Sequence, residues 1–255
     1  MNSTKLSVVI PSYNESENLK KGVLDEIEDY LERSGLEYEV VIVDDGSDDG
    51  SKEFVKNYIS KNTKFKLIEN AHGGKAMAVM TGMEKALGEI VLFTDMDQAT
   101  PIDQLDKFIP KFSAKGGPAS GWDIVIGSRA GRKGAPFFRK LAAWGFSLLQ
   151  KIILGLPFKD TQCGFKSFNK KSIDKIIPKI KKEWGVVHFK GGAVNAGFDV
   201  ELLYLAKKYG FKIAEVDVEW KYVDTERVQV IKDAAAAIYD MFRIRINDLR
   251  GKYGR

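Results

Sequence analysis

The sequence is poor in the residues on which thiolate, disulfide and zinc chemistry depend. Its 255 residues include one cysteine, Cys163, and two histidines, His72 and His188. A single cysteine cannot form an internal disulfide, which fits a protein of a reducing compartment. So few sulfur and imidazole ligands argue against a zinc site. We expect Cys163 to be structural rather than nucleophilic, because the sequence places no evident base beside it.

Long apolar runs are also missing. No stretch of about 18 uninterrupted apolar residues occurs, so we predict no membrane-spanning helix. The apolar run at residues 5–10 is too short for the core of a secretory signal peptide. The 44% of hydrophobic residues suits a globular core, in one large domain or two small ones.

Positive charge is concentrated in two segments, although the net charge of the chain is only +5. Residues 129–159 contain seven basic residues and no acidic one, and residues 227–255 contain seven basic and three acidic residues. Such clustering indicates an anionic partner.

Short β-branched segments alternate with amphipathic helical patterns in the first half of the chain. Strands are predicted at residues 6–10, 39–43, 65–68 and 90–93. This alternation predicts an α/β fold, with a mostly parallel sheet flanked by helices on both faces. The second half is predicted to hold strands at 123–126 and 213–218 and helices at 101–108, 141–153, 200–208 and in the last thirty residues, several of them amphipathic.

Polar clusters follow all four of the first predicted strands. Ligands of parallel sheets bind at the carboxyl ends of the strands. The most informative cluster is Asp95-Met96-Asp97, because two carboxylates at the end of a buried strand suit Mg²⁺ or Mn²⁺ carrying a diphosphate. The alternative is a solvated turn.

Two other clusters are candidate ligand sites, and the first of them also has a structural interpretation. Residues 44–47 (DDGS) form either a turn with a helix N-cap or a site where Asp45 accepts hydrogen bonds from a base or ribose. Gly73 and Gly74 precede Lys75 at a predicted helix start, which favours a phosphate. Neither the P-loop pattern nor Gly-x-Gly-x-x-Gly is present, which disfavours a P-loop and a dinucleotide site.

The order of these motifs resembles that of inverting glycosyltransferases of family 2, which have the GT-A fold. The shared segments are 7–15 (SVVIPSYNE), 43–47 (VDDGS), the Gly-Lys helix start and Asp95-Met96-Asp97. Segments 127–129 (GSR), 160–166 (DTQCGFK), 198–202 (FDVEL) and 244–247 (IRIN) resemble the polyprenyl-phosphate branch, and most of all the dolichyl-phosphate β-glucosyltransferases. The resemblance covers almost the whole chain.

The resemblance implies roles for individual residues. The nucleotide-sugar site would comprise Pro11, Tyr13, Glu15, Asp45, Lys75, Asp95, Met96 and Asp97. Asp95 and Asp97 would hold the metal, Mg²⁺ or Mn²⁺. Arg129 and Arg139 would contact the acceptor phosphate, and the catalytic residues would be Asp97, Asp199 and Arg129.

Asp199 and Gln98 each leave a question open. Asp199 has three possible roles. It is the usual candidate for a base at this position, it could instead orient the donor sugar or the acceptor, or it is only a helix N-cap. Mannosyl-transferring relatives often have Asp-Ala-Asp-x-Gln, whereas here Gln98 follows Asp97 directly and Ala99 takes the later position. This departure weakens a mannosyl assignment.

The resemblance implies transfer of a hexose, with UDP-glucose as the first choice of donor, to dolichyl or polyprenyl phosphate. Residues 1–226 would form the catalytic domain and residues 227–255 a basic helix packed on it or at the membrane surface. Segment 129–159 is then either an ordinary packed helix or an interfacial one. We expect a cytoplasmic protein associated peripherally with the cytoplasmic face of a membrane.

Other functions remain open. Within transferases, the donor could be GDP-mannose, the acceptor a saccharide, or the reaction a nucleotidyl transfer. A nucleic-acid-binding module fits the basic tail, but it leaves the four polar strand ends unexplained and no compact recognition motif is present. We therefore expect no nucleic-acid partner. Segment 160–166 either closes the active site or is only a loop.

Overall fold

A computed structural model describes residues 6–113, 121–129, 137–184, 197–221 and 230–254. Side chains are described in these ranges except at residues 137–143 and 230–235. His188, the side chain of Arg139 and the predicted domain boundary after residue 226 lie outside the described residues.

One mixed sheet forms the centre of the molecule. Its strands are β1 (Leu6–Ser12), β2 (Tyr38–Asp44), β3 (Phe65–Glu69), β4 (Ile90–Phe93), β5 (Ile124–Ser128), β6 (Lys166–Asn169) and β7 (Ile213–Asp217). They lie in the order β3-β2-β1-β4-β6-β5-β7. Only β6 runs antiparallel to its neighbours in this sheet. The predicted α/β fold with a mostly parallel sheet is confirmed.

Helices cover both faces of the sheet. They are α1 (Ser16–Lys20), α2 (Val23–Ser34), α3 (Ser51–Ile59), α4 (Lys75–Lys85), α5 (Phe137–Leu154), α6 (Lys170–Trp184), α7 (Phe198–Lys208) and α8 (Val230–Leu249). The single helix predicted after β1 is two helices, because Gly22 adopts a left-handed conformation with φ of 84°. The helix predicted after Pro101 is instead a pair of 3₁₀ helices, Ile102–Lys107 and Ile109–Phe112.

The core consists of two layers, one on each face of the sheet. Side chains alternate along a strand, so Val9 lies in the core layer that contains residues of α4, α6 and α7, while Val8 and Ile10 lie in the layer that contains residues of α2. Strands buried on both faces read as continuous apolar runs, which is why β1, β2 and β4 are predictable. Among the described residues, no helix combines the length and hydropathy needed to cross a bilayer.

The prediction omits β6 and α6. Strand β6 is four residues long and begins with Lys166, so it shows neither an apolar run nor alternation. Helix α6 has apolar residues at helical spacing, Ile173, Ile176, Ile177 and Ile180, but Pro178 interrupts the pattern. An interior proline normally ends a helix, which hides this one from sequence reasoning.

Candidate active site

The polar segments predicted as a site lie at one edge of the sheet. Ser12 and Asp44 are in register where β1 and β2 end. Lys166 is in register with Phe93 of β4 and with Ile126 of β5. Since β6 runs in the opposite direction, it begins at the edge where its neighbours end. The segment before β6 therefore meets the segments that follow β4 and β5.

Side chains of the β2 loop fix the loop that follows β1. Asn14 has a φ of 55°, a left-handed conformation that asparagine tolerates better than most residues. Its backbone N–H donates to Oγ of Ser47 at 3.0 Å, and its amide donates to Asp48 at 2.8 Å. The N–H of Glu15 donates to Oγ of Ser51 at 2.8 Å. These bonds place the predicted nucleobase segment against the β2 loop.

Asp45 anchors the glycine turn that precedes α4. Its buried carboxylate, 2% exposed, accepts the N–H of Gly73 at 2.9 Å and that of Gly74 at 2.7 Å. Nδ1 of His72 lies 2.9 Å from the same carboxylate, and the His72 ring stacks on Tyr13 at 4.5 Å between centroids. Asp45 thus joins the β1, β2 and α4 segments, while its contact with a base or ribose stays a prediction.

Lys75 forms an ion pair with Asp95. It is the first residue of α4, and its Nζ lies 2.6 Å from Oδ1 of Asp95. Burial lowers the pKa of the Lys75 ammonium, but the charges of Asp95 and Asp199 outweigh burial and raise that pKa above its ordinary value. Asp97 contributes a smaller effect in the same direction. The structure thus brings Lys75 and Asp199 to the Asp95-Met96-Asp97 segment, although these three segments are far apart in the sequence.

The oxygen ligands after β4 fit a divalent cation bound together with a diphosphate. Mg²⁺ is usually held by one or two carboxylates plus substrate phosphates, and Asp95 and Asp97 supply two. Oε1 of Gln98 is buried and has no hydrogen-bond partner among the described residues, so a further oxygen is available in this segment. The described part of the chain holds no cluster of three or more acidic, histidine or cysteine ligands. The Met96 side chain is buried in the core, so only its backbone is available to a ligand.

Arg129 holds the segment that precedes β6. Its Nε donates to Oδ2 of Asp160 at 2.6 Å, and its Nη2 donates to Oδ1 at 2.8 Å. The Arg129 backbone N–H also donates to Oδ2, at 3.1 Å. The guanidinium lies 5.7 Å from the centre of the Trp220 ring. Arg129 thus has a structural partner, and its predicted contact with the acceptor phosphate is untested, as is that of Arg139.

The segment between Asp160 and β6 approaches Asp95 closely. A Cβ added to Gly164 would lie 2.1 Å from Oδ2 of Asp95, so a larger residue would require the Asp95 side chain or this segment to move. Cys163 is fully buried, and burial followed by the charge of Asp160 raises the pKa of its thiol. A buried neutral thiol is a poor nucleophile, which agrees with the structural role expected for Cys163.

Asp199 lies in the first turn of α7 and pairs with a residue that the sequence analysis missed. Nζ of Lys166 lies 2.6 Å from its Oδ1. Sequence reasoning treated Lys166 only as the end of a motif. A lysine followed by Ser167 and Phe168 gives no sign of burial, and only the antiparallel pairing of β6 reveals it.

Comparison with known proteins places the chain in a family. The model of glycosyl transferase family 2 matches residues 7–177. Dolichyl-phosphate beta-glucosyltransferase ALG5C of Trichomonas vaginalis is 34% identical over 93% of this chain and 70% of its own. The Saccharomyces cerevisiae dolichyl-phosphate beta-glucosyltransferase is 32% identical over 97% of this chain and 76% of its own. The Homo sapiens protein of that name is 30% identical over 98% of this chain and 77% of its own.

Solved structures agree on the fold. Mannosyl-3-phosphoglycerate synthase from Rubrobacter xylanophilus superposes with a TM-score of 0.69 at 20% identity, over 98% of this chain and 76% of its own. A mannosyltransferase from Pyrobaculum calidifontis, solved with GDP-Man and Mn²⁺, superposes with a TM-score of 0.61 at 20% identity, over 97% of this chain and 66% of its own. At this identity the likeness supports the GT-A fold alone. With the family model and the relatives in agreement, the prediction from the motifs is confirmed: the chain belongs to glycosyl transferase family 2 and is a glycosyltransferase.

Proposed function

We propose that this enzyme transfers glucose from a nucleotide-sugar donor, UDP-glucose, to dolichyl or polyprenyl phosphate with inversion at the anomeric carbon. The observation that carries the proposal is the name shared by the three relatives, each of which aligns with at least 93% of this chain. Asp95, Asp97 and Lys75 at the sheet edge are suited to a nucleoside diphosphate.

The donor site is built from segments that the fold already fixes. Pro11 lies near the end of β1, Tyr13 and Glu15 lie on the loop that the β2 segment holds, and Asp45 orders the glycine turn beside them. That turn ends at the N-terminus of α4, where Lys75 supplies a cation and the helix dipole favours an anion. We assign the base and ribose to the first group and the diphosphate to the second.

Asp95 and Asp97 would hold the divalent cation. When bound, Mg²⁺ or Mn²⁺ supplies Lewis-acid neutralisation of the negative charge on the diphosphate. Lys75 adds a fixed positive charge at the same place. Charges aimed at the departing group before reaction need no reorganisation during it, which lowers the barrier.

The acceptor needs little activation. A phosphate monoester carries at least one negative charge near neutral pH, so an oxygen of the lipid phosphate can attack the anomeric carbon directly. The new oxygen–carbon bond forms on one face while the bond to the diphosphate breaks on the other, and its electron pair leaves with the nucleoside diphosphate. We assign Asp199 to orienting a hydroxyl rather than to removing a proton. Arg129 and Arg139 are the proposed contacts of the acceptor phosphate.

An exposed apolar face on α5 and α8 is the proposed membrane contact. Trp144 and Ile152 are 65% and 70% exposed, and Leu148 between them shares the same side of α5. Helix α8 packs against α5 and exposes four large apolar residues, Tyr239, Phe242, Ile246 and Leu249. Large exposed apolar patches mark interaction sites, and the basic residues of segments 129–159 and 227–255 would be attracted to anionic headgroups.

Contact of this face with a membrane would bring the enzyme to a surface where a lipid phosphate is available. We propose peripheral association with the cytoplasmic face, with residues 1–226 as the catalytic domain and 227–255 as the helix that contacts the bilayer. A second copy of the chain is the alternative occupant of this face.

A donor panel tests the proposed function. Purified enzyme is incubated with polyprenyl phosphate, Mg²⁺ or Mn²⁺, and radiolabelled UDP-glucose, other UDP-sugars or GDP-mannose. We expect label from UDP-glucose to enter the organic phase, and chelator or Asp97→Ala to abolish this transfer. Label that follows GDP-mannose would correct the donor, label on a water-soluble saccharide would correct the acceptor, and release of pyrophosphate would identify a nucleotidyltransferase.

A further inference from the structure

Lys166 is a buried charged residue for which the proposed mechanism has no use so far. Its side chain is 0% exposed, at the start of β6 in the middle of the sheet. Lysine is almost never fully buried unless it is paired, because desolvation of an ammonium is costly. A residue placed here at such a cost needs a compensating partner.

That partner is Asp199. The Lys166 ammonium donates to Oδ1 of Asp199 at 2.6 Å and to the carbonyl oxygen of Cys163. It also lies 5.1 Å from the centre of the Phe93 ring, a distance at which cation–π attraction operates. The cation is therefore held from three directions, and it fixes one oxygen of a carboxylate that is 21% exposed.

The surroundings of this pair connect it to the metal-binding segment. Phe93 is in register with Lys166 and is followed, after one residue, by Asp95. Gly164, two residues before Lys166, contacts the Asp95 carboxylate. The charge of Asp199 raises the pKa of the same Lys75 ammonium that Asp95 contacts. A short stretch of chain thus sets the positions of both carboxylates.

We propose that Lys166 is a positioning residue. Its ammonium holds Oδ1 of Asp199, so that Oδ2 of the same carboxylate accepts a hydrogen bond from a hydroxyl of the transferred hexose. This inference rests on the proposed function, in which Asp199 orients substrate. The sheet supplies a rigid base for the ammonium, whereas the carboxylate alone would have rotational freedom at the start of α7. A misplacement of about 1 Å at a reacting centre can cost a hundredfold in rate, so such a constraint has a catalytic use.

Lys166→Met, Asp199→Asn and the double variant test the inference in the transfer assay with UDP-glucose and polyprenyl phosphate. Met is unbranched and apolar, so it removes the charge with little change of shape. We expect each single variant to lower kcat by about ten- to a hundredfold, the range for loss of a charged hydrogen bond, with donor KM changed much less. Because Lys166 acts through Asp199, the double variant should be no slower than Asp199→Asn.

Two controls separate positioning from folding. Lys181→Met removes an ion pair with Glu84 on the surface, 2.6 Å in length, and should leave kcat unchanged. Thermal unfolding reports the folded fraction of every variant. Lys166→Gln, which keeps a donor but not the charge, replaces Lys166→Met if the latter does not fold, with the same expected loss of kcat.

Different outcomes overturn different statements. A normal kcat in folded Lys166→Met and Lys166→Gln, or losses that multiply in the double variant, would overturn the positioning role and leave Asp199 in place. A normal kcat in Asp199→Asn would overturn the roles of both residues. Absence of transfer to polyprenyl phosphate by the unaltered enzyme would overturn the proposed function instead.

Discussion

Nζ of Lys75 lies 2.6 Å from Oδ1 of Asp95, so the side chain at the start of α4 already neutralises the first carboxylate of the Asp-x-Asp pair. A metal ion that binds this carboxylate must share it with the ammonium. The raised pKa of Lys75 keeps the ammonium charged throughout the neutral range. We therefore expect metal binding and donor binding to be linked at this residue.

Lys75→Met should strengthen binding of Mn²⁺ in the absence of donor and weaken turnover in its presence. A partly exposed ion pair contributes up to about 1 kcal/mol. Without the ammonium that competes for the Asp95 carboxylate, this free energy corresponds to about a fivefold lower Kd for Mn²⁺. Electron paramagnetic resonance of free Mn²⁺ measures that Kd directly. Lys85→Met, at the other end of the same helix, is the control. Unchanged or weaker Mn²⁺ binding would show that the ammonium does not compete.

Gly164→Ala should be nearly inactive while it remains folded. The new methyl group would stand 2.1 Å from Oδ2 of Asp95, so the carboxylate or the loop must move. We expect a loss in kcat of about a hundredfold, as for other displacements near 1 Å. The matched control is Gly145→Ala on α5, where an added Cβ meets nothing within 4 Å. Equal activity of the two variants would remove Gly164 from the site.

The Arg129–Asp160 pair should contribute to stability. Both side chains are largely buried, so removal of one partner leaves a buried charge uncompensated. Asp160→Asn should lower the free energy of unfolding by about 3 kcal/mol, and Arg129→Met by a similar amount. The double variant Arg129→Met/Asp160→Asn should lose less than the sum of the two. Urea denaturation measures these values, and strict additivity would mean that the pair is not coupled.

Comparison of sequence and structure separates what local pattern can predict from what only the fold reveals. The strands at Leu6–Ser12 and Ile90–Phe93 were predictable because apolar β-branched runs form buried parallel strands. Their polar ends were predictable as neighbours at one edge of the sheet, the edge at which such sheets bind ligands. Local pattern was insufficient for Lys166–Asn169, whose strand character comes from pairing with β4 and β5.

The same limit applies to the partners of individual site residues. Asp45 and Lys75 are predicted to contact the nucleotide, and no local pattern indicates that Asp45 anchors Gly73 or that Lys75 pairs with Asp95. These contacts join segments distant in sequence, so they depend on how the loops meet and not on local propensity. The apolar stripe of α5 was visible in the sequence, but the packing of α5 against α8 was not.

We expect Asp49 to make the free energy of unfolding depend on pH in the acidic range. Burial raises the pKa of this carboxyl, but hydrogen bonds from Ser51 and Ser16 outweigh burial and lower the pKa to about 2. A lowered pKa stabilises the fold above the ordinary value of 3.8, and this contribution is lost as the pH falls through about 2. Because the side chain is exposed, we expect Asp49→Asn to be only about 1 kcal/mol less stable at neutral pH. Urea denaturation should show that difference shrinking below about pH 4, and a constant difference would contradict it.

The apolar face of α5 and α8 should bind anionic vesicles. Trp144→Ser combined with Ile152→Ser removes two exposed side chains, and burial of each is worth about 1.5–3 kcal/mol, so the affinity should fall by about tenfold or more. Flotation with phosphatidylserine vesicles at low salt measures the bound fraction. Leu87→Ser is the matched control, because Leu87 is 71% exposed and lies after α4, outside this face. No flotation of the unaltered enzyme, with dimers that the double variant abolishes, would assign the face to a second copy of the chain.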